Sequence, residues 1–206
     1  MSNFMLTNRK NWLVGLERCG DCPRCNTRKE VFPGIGQKHD PAIFFIAGKV
    51  TEHENKVNPG NKFRMGGDTA LSTELTKFGL SRLKDCYVSP IIKCWAPEEP
   101  TTAHRLDCEN YLEVELQQVN PSLIVLLGQE AVDFWWANTT ANMTLDLARG
   151  KTWGTYQQKI IATFDPDLYA AKRTELRDEW AKDWTLIGSI LETQHKVKVP
   201  TPDPQD

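Results

Sequence analysis

Short, wholly apolar runs alternate along the chain with longer stretches in which apolar residues recur at helical spacing. Runs of this kind predict strands buried on both faces, because neither face offers polar side chains to solvent. The predicted strands are residues 42–47, 86–92 with an interruption at Ser89 and Pro90, 121–128 and 159–164. The predicted helices are residues 68–78, 106–119 and 129–137, with one or two closing helices over 168–192.

Strands that alternate with helices and are apolar along their length indicate an α/β fold. The prediction is a three-layer α/β/α sandwich around a central, mostly parallel four-stranded sheet. In such sheets ligands bind beyond the carboxyl ends of the strands, so the loops after the four strands should carry the chemistry. We expect one domain over residues 1–195 and a disordered, proline-bearing tail over 196–206.

Composition and charge narrow the class of protein. The 206 residues carry a formal net charge of -2, which excludes a uniformly basic nucleic-acid coat but not a local basic face. No apolar run approaches the roughly 20 residues of a membrane span, and the first residues lack a signal-peptide core. The sequence therefore predicts a soluble, cytoplasmic monomer that does not enter a membrane.

Six cysteines are the most informative feature of the composition. Cys19, Cys22 and Cys25 are each separated by two residues, and Cys94 and Cys108 follow later in the chain. A chain of this size does not need disulfides, and no export signal indicates an oxidising compartment. The spacing favours thiolates on a metal or an iron–sulfur cluster, with structural zinc or inert buried thiols as alternatives.

Several segments, taken in order and spacing, carry a family resemblance. They are CGDCP from Cys19, IIKC ending at Cys94, Cys108 itself, PSLIVLLG from Pro121 to Gly128, RG at Arg149, and TFDP from Thr163 to Pro166. Together they resemble the family-four uracil-DNA glycosylases, iron–sulfur members of the uracil-DNA glycosylase superfamily. The resemblance covers about residues 19–191 and implies a DNA partner.

The resemblance also implies a set of cluster ligands. The family's four ligands to a [4Fe-4S] cluster fall on Cys19, Cys22, Cys94 and Cys108. The resemblance implies that the cluster has a structural role, as a crosslink beside the DNA-binding surface. Cys25 is close enough in sequence to substitute for a neighbouring ligand, whereas Cys86, inside a predicted strand, is expected to be a buried small hydrophobe.

Three positions depart from the family pattern where polar groups handle uracil. Gly48 or Lys49 falls where the family carries an acidic residue that assists water attack, and a glycine there would enlarge the pocket. Pro90 aligns with the asparagine that reads the uracil edge, and proline lacks the amide's donor and acceptor. Asp165 replaces the histidine that stabilises negative charge on the departing base, which a carboxylate cannot do.

Carboxylates near these positions are candidates for the remaining chemistry. Base removal requires a flipped nucleotide, a stabilised oxocarbenium-like sugar and an activated water. Asp165, at the end of the fourth predicted strand, is the leading acid or base, although it could simply cap the next helix. Glu52, His53 and Glu54 crowd the first loop and could replace the missing acid, or form an ordinary solvated loop.

One aromatic residue and three cations complete the predicted site. Phe63 matches the family's aromatic residue that stacks on the flipped base, and its polar neighbours favour a pocket rim over the core. Lys93 is predicted to face DNA beside the cluster, with a surface salt bridge as the alternative. Arg149 and Lys151 flank a glycine in a predicted phosphate-contacting turn.

These observations favour an enzyme with an altered base pocket. We interpret the chain as an iron–sulfur DNA glycosylase that excises a non-standard or modified pyrimidine and leaves an abasic site. Hydroxymethylated or glucosylated phage bases would suit a carboxylate-bearing pocket, and their removal would serve antiviral defence. The alternatives are a protein that binds DNA or a protein partner without excision, a conventional uracil repair enzyme, and a structural iron–sulfur protein.

Overall fold

The computed structural model describes residues 15–17, 19–20, 22–50, 68–137, 139–140 and 142–195. The strands in this part of the chain are β1 (Glu30–Val31), β2 (Ile35–Gly36), β3 (Ile43–Lys49), β4 (Cys86–Ile92), β5 (Cys94–Trp95), β6 (Leu123–Leu127), β7 (Trp153–Gly154) and β8 (Lys159–Thr163). The helices are α1 (Asp68–Lys77), α2 (Arg82–Asp85), α3 (Thr102–Val119), α4 (Gly128–Trp135), α5 (Leu145–Ala148), α6 (Pro166–Ala171) and α7 (Arg173–His195), with a 3-10 helix at Pro23–Asn26.

Six of these strands form one sheet in the order β2-β4-β3-β6-β8-β7. The four central strands run parallel, with Phe45 of β3 in register with Val88 of β4 and Val125 of β6. The edge strands β2 and β7 are antiparallel to their neighbours. The predicted α/β class with a mostly parallel sheet is confirmed, and the structure adds two edge strands that are too short to show a period in the sequence.

The central strands are buried along nearly their whole length, as their composition predicts. Every residue of β4 and β6 is buried, and β3 is buried until it reaches Gly48 and Lys49. Gly48 and Lys49 are thus partly exposed at the carboxyl end of β3. Because the carboxyl ends of parallel strands share one edge of the sheet, these residues lie at the edge where ligands bind in such folds.

Helices pack on the sheet and close the core. Helix α3 contacts β4, α4 contacts β3, and α7 contacts β8. Trp180 and Trp184 of α7 are buried, and Trp180 stacks on Tyr169 with ring centroids 4.2 Å apart. Trp184 lies against Phe78, which follows α1. Helix α7 is therefore joined to the end of α1 and to α6 by aromatic packing.

Strand β4 is continuous through Ser89 and Pro90, so the predicted interruption is wrong. Pro90 is in register with Ala47 on the β3 side. On the other side β2 pairs with β4 only at Tyr87 and Val88, so Pro90 lies beyond the end of β2. A residue without a backbone N–H is tolerated there because no neighbouring strand needs that donor.

Helix α3 begins before its predicted start, because a cap rather than a hydrophobic residue sets its first turn. The Thr101 hydroxyl accepts from the His104 backbone N–H at 3.4 Å, and the Thr101 N–H donates to His104 Nδ1 at 3.1 Å. This reciprocal pair satisfies two donors that the helix itself leaves unpaired.

Within the described residues, no helix combines the length and apolar character needed to cross a bilayer. The tail predicted over residues 196–206 lies outside the described part of the chain.

Candidate functional site

The carboxyl end of β3 lies directly against a carboxylate from the next strand-helix unit. Gly48 has no side chain, and a β-carbon built on it would lie 2.3 Å from Glu130 Oε2 and 3.1 Å from Glu130 Cδ. Glu130 belongs to the first turn of α4, which follows β6 without a loop. The predicted enlargement of the pocket at Gly48 is therefore wrong, because the Glu130 side chain fills that space.

A second close approach links β6 to β8 at the same edge. Gly128 has φ of +80°, a left-handed conformation that glycine adopts without strain. A β-carbon on Gly128 would come within 2.9 Å of Asp165 Cβ. Three segments therefore lie side by side along the carboxyl edge of the sheet. They carry Gly48, then Gly128 with Glu130, then Asp165.

Asp165 is the N-cap of α6. Its Oδ1 accepts from the backbone N–H groups of Asp167 at 2.8 Å and Leu168 at 3.2 Å. Burial raises the pKa of the Asp165 carboxyl above its ordinary value, and the two backbone hydrogen bonds only partly offset that rise. The capping alternative is confirmed as a structural role, and because the cap uses Oδ1, Oδ2 is the oxygen that a chemical role would require.

Cations flank the Gly48–Glu130 contact. Arg105 Nη2 of α3 lies 4.0 Å from Glu130 Oε1. Lys49, next to Gly48 and half-buried, forms an ion pair with the exposed Glu99. The edge therefore presents carboxylates and cations together, a mixture suited to general acid–base chemistry and to phosphate contact.

Four predicted site residues cannot be placed in this geometry. Glu52, His53, Glu54 and Phe63 lie in residues 51–67, outside the described part of the chain. That segment connects Val50, just after β3, to the start of α1. Their assigned roles remain predictions.

Pro90 is placed by the structure inside β4, where it is buried. The family pattern puts its asparagine in this register, so the substitution removes an amide from a strand rather than from a loop. Its role in the base pocket remains a prediction.

Five cysteines line one small cavity. Its walls are formed by Leu16, Cys19, Cys22, Cys25, Arg28, Val31, Lys93, Cys94 and Cys108. The thiols come from the N-terminal segment, from β5 and from α3, so distant parts of the chain meet there. The predicted ligands Cys19, Cys22, Cys94 and Cys108 are brought together, and Cys25 joins them. Cys86 is wholly buried in β4, as expected of a small hydrophobe.

Burial and repulsion between neighbouring thiolates raise the pKa values of two of these cysteines. The pKa of Cys108 is raised to about 11, mainly by burial, with added repulsion from Cys94, Cys19 and Cys22. The pKa of Cys22 is also raised, again mainly by burial. Binding a cationic metal centre would remove this penalty, because coordinated thiols are deprotonated.

These cysteines supply the kind of donor that binds iron–sulfur clusters, and whether they hold one remains a prediction. In the described residues, no three Cys, His, Asp or Glu side chains converge on one point closely enough to hold a single metal ion. A four-iron cluster takes one thiolate at each of four irons, so its ligands surround a cavity instead. The apolar Leu16 and Val31 and the cationic Arg28 and Lys93 complete walls that suit a dry, negatively charged group.

The prediction that Lys93 faces DNA is wrong. Its side chain is 1% exposed, and Nζ lies 2.5 Å from Glu115 Oε2 of α3. Nζ also donates to Ser89, and Glu115 further accepts from the Gly34 backbone N–H at 2.8 Å. Burial lowers the pKa of Lys93 and the Glu115 charge opposes that shift. Burying an ammonium group without a partner has a high cost in desolvation free energy. The hydrogen bonds and the Glu115 carboxylate of this network offset that cost.

Arg149 is likewise committed to the protein, so its predicted phosphate contact is wrong. Arg149 Nε donates to Asp183 Oδ2 at 2.8 Å, and Nη1 donates to Glu179 Oε2 at 2.9 Å. Its guanidinium carbon lies 3.6 Å from the centre of the Phe164 ring. Lys151 is exposed, with Nζ donating to the Leu147 carbonyl at 3.2 Å, and its DNA contact remains a prediction.

Two carboxylates of this region were missed by sequence reasoning. Glu115 looked like one more polar position on an amphipathic helix, and its partner Lys93 is distant in sequence. Glu130 had a usable signal, because it comes three residues after the end of a buried parallel strand, where ligand contacts concentrate.

Comparison with known proteins agrees with this architecture. The family model described as the uracil DNA glycosylase superfamily matches residues 39–185. The chain is 30% identical over 182 residues to the type-4 uracil-DNA glycosylase of Thermotoga maritima, covering 87% of this chain and 92% of that protein. The type-4 enzyme of Archaeoglobus fulgidus is 28% identical over 182 residues, covering 84% and 87%. That of Saccharolobus solfataricus is 29% identical over 188 residues, covering 87% and 84%.

Proposed function

The chain belongs to the uracil-DNA glycosylase superfamily, and from that premise we propose that it is an iron–sulfur DNA glycosylase directed at a modified pyrimidine. It would flip the target nucleotide out of DNA and hydrolyse its N-glycosidic bond, leaving an abasic site. The observation that carries the proposal is the carboxylate of Asp165 at the carboxyl edge of the sheet, where the family pattern has a histidine, together with Pro90 in the place of the family's asparagine.

The polarity of this edge bears on which base would fit. Uracil presents carbonyl acceptors at O2 and O4, which a carboxylate repels, and a single N3–H donor between them. Cytosine-type bases present an N4 amino donor, and hydroxymethyl or glucosyl substituents add hydroxyl donors. Asp165 Oδ2 is the acceptor that we assign to such a donor or to the positive charge that develops on the sugar. Pro90, in place of the asparagine, removes the amide that would select uracil.

The remaining site residues are assigned by resemblance. Phe63 would stack on the flipped base, Lys49 would border the pocket, and Lys151 would contact a phosphate. Glu52, His53 and Glu54 are further candidates for the role of the family's missing acid. Bulky substituents on the base would need room elsewhere than at Gly48, where Glu130 already stands.

The cluster would be held by Cys19, Cys22, Cys94 and Cys108, with Cys25 as a reserve ligand. A [4Fe-4S] centre supplies a rigid crosslink here when it is bound. Its ligands would tie the N-terminal segment to β5 and α3, and so fix the strand end that follows Pro90. Arg28 would offset part of the negative charge of the coordinated thiolates, whereas the charge of Lys93 is already balanced by Glu115.

Modified pyrimidines of this type occur in phage DNA, so removing them would damage an invading genome. An antiviral role is therefore the biological setting that we propose. It follows from the base specificity and depends on it.

The test is excision on synthetic DNA that carries a single uracil, 5-hydroxymethylcytosine or glucosylated 5-hydroxymethylcytosine. Each DNA is incubated with the purified chain, in single- and double-stranded form, and abasic sites are then cleaved with alkali. Cleavage of hydroxymethylated or glucosylated DNA in preference to uracil DNA is expected. Preference for uracil, or no abasic site on any DNA, would overturn the proposal.

A further inference from the structure

Glu130 lies at the carboxyl edge of the sheet, beside Gly48 at the end of β3. Its Oε2 lies where the side chain of residue 48 would begin, because a β-carbon there would come within 2.3 Å of it. A side chain at 48 would therefore require the Glu130 carboxylate to shift from its present position. Glycine at the carboxyl end of β3 is what admits the carboxylate to the edge of the sheet.

Three features of its surroundings suit the Glu130 carboxylate to contact a ligand at this edge of the sheet. It stands in the first turn of α4, where unpaired backbone N–H groups present positive charge to an anion. Arg105 lies 4.0 Å away on the other oxygen, Oε1. The side chain is 38% exposed, so water and a ligand can reach it.

Asp165 belongs to the same stretch of edge. Gly128, two residues before Glu130, abuts Asp165 Cβ. Two carboxylates, one backed by a helix N-terminus and the other buried and capping a helix, thus have different surroundings along one row. Different surroundings are what allow two carboxyl groups to take different tasks in hydrolysing a glycosidic bond.

We propose that Glu130 is the catalytic residue that activates water, an inference that rests on the proposed glycosylase function. Glu130 Oε2 accepts a proton from water as the water oxygen bonds to C1′ of the flipped nucleotide. The bond between C1′ and the base nitrogen breaks, and its electron pair leaves with the base, which takes a proton from solvent. Glu130 then returns its proton to solvent.

The Gly48–Glu130 contact makes a second variant informative. Gly48→Ala introduces a β-carbon that displaces the carboxylate without removing it. If Glu130 acts from its present position, Gly48→Ala slows excision, and it adds little further loss to a Glu130→Gln protein.

The experiment compares single-turnover excision by the wild type, Glu130→Gln, Gly48→Ala and the double variant on the best DNA of the panel. Asp133→Asn, an exposed carboxylate on the same helix, is the matched control. We expect Glu130→Gln to lose about 10²- to 10⁴-fold in rate with unchanged thermal stability and DNA affinity. In Glu130→Ala, added formate should recover part of the rate, which a purely structural carboxylate would not allow.

The outcomes separate the two proposals. A wild type that excises no base from any DNA overturns the proposed function. An active wild type with a Glu130→Gln protein within threefold of its rate overturns the role of Glu130 and leaves the function standing. An equal loss in Arg105→Ala, without formate rescue of Glu130→Ala, reduces Glu130 to an ion-pair partner and also overturns its catalytic role.

Discussion

Asp165 caps α6, and we also propose a chemical role for it; the two roles are separable because they use different properties of the side chain. Capping needs an oxygen that accepts from the Asp167 and Leu168 N–H groups, which an amide oxygen can also provide. The proposed chemistry needs negative charge, which an amide cannot provide. Asparagine and alanine at this position therefore test different roles.

We expect the free energy of unfolding of Asp165→Asn to lie within about 0.5 kcal/mol of the wild-type value, because asparagine is an equally good cap. The same variant should lose most of its excision rate. Asp165→Ala should lose the rate and also about 1 kcal/mol of stability, since the cap goes with the side chain. Urea unfolding and single-turnover excision measure the two effects, and an undiminished rate in Asp165→Asn would contradict the catalytic assignment.

Burial raises the pKa of Asp165, so the pH profile of excision should reveal this group. The ionised carboxylate is the active form, and its population falls as pH drops through the raised pKa. The excision rate should therefore decline on the acid side at a pH above the ordinary range of an aspartate. Asp165→Asn should move that decline to lower pH, and a profile of unchanged position would rule the group out.

At the scale of elements, a buried ion pair joins β4 and its following residue to α3. Lys93 and Glu115 are 1% and 2% exposed, and Ser89 bonds to both. Removing one partner leaves the other charge buried without compensation, which is more costly than removing both.

Glu115→Gln should therefore lower the free energy of unfolding by about 3–5 kcal/mol. The double variant Lys93→Met, Glu115→Met should lose less than the two single losses added together. Glu99→Gln, which breaks the exposed pair with Lys49, is the control and should cost under about 1 kcal/mol. Urea unfolding of these three variants and of the single Lys93→Met and Glu115→Met proteins measures the losses, and strictly additive losses would contradict a coupled pair.

The sequence predicted the elements better than the contacts between them. The central strands are mostly apolar runs, so composition marks them, although Ser89 and Pro90 made β4 look interrupted. Two-residue edge strands such as β2 have no period to detect, and the start of α3 depends on a cap at Thr101. Lys93 was read as a DNA contact because a charged residue beside a cysteine carries no sign of Glu115, a partner that only the fold brings near.

At the scale of the whole molecule, the cysteine cavity is where the N-terminal segment, β5 and α3 meet. Sequence spacing and family resemblance together predict four of its five thiols as ligands, and the structure places all four at this cavity. They could not show that Arg28 and Lys93 also form its walls, since those contacts depend on the packed structure.

We expect Cys108→Ser to remove most of the bound iron and the broad brown absorption of an iron–sulfur centre, because Cys108 lines the cavity. Cys86→Ser, at a buried thiol of β4 that does not line this cavity, is the matched control and should keep its iron. Chemical iron and sulfide analysis of anaerobically purified protein makes the comparison. Equal iron in the two variants would contradict the ligand assignment.

The central claim is that this superfamily member removes a modified pyrimidine rather than uracil. The most direct measurement is mass spectrometry of the free bases released from one DNA preparation that contains both uracil and glucosylated 5-hydroxymethylcytosine in equal amounts. The account predicts release of the modified cytosine in large excess over uracil. Release of uracil in excess, or of no base at all, would contradict it.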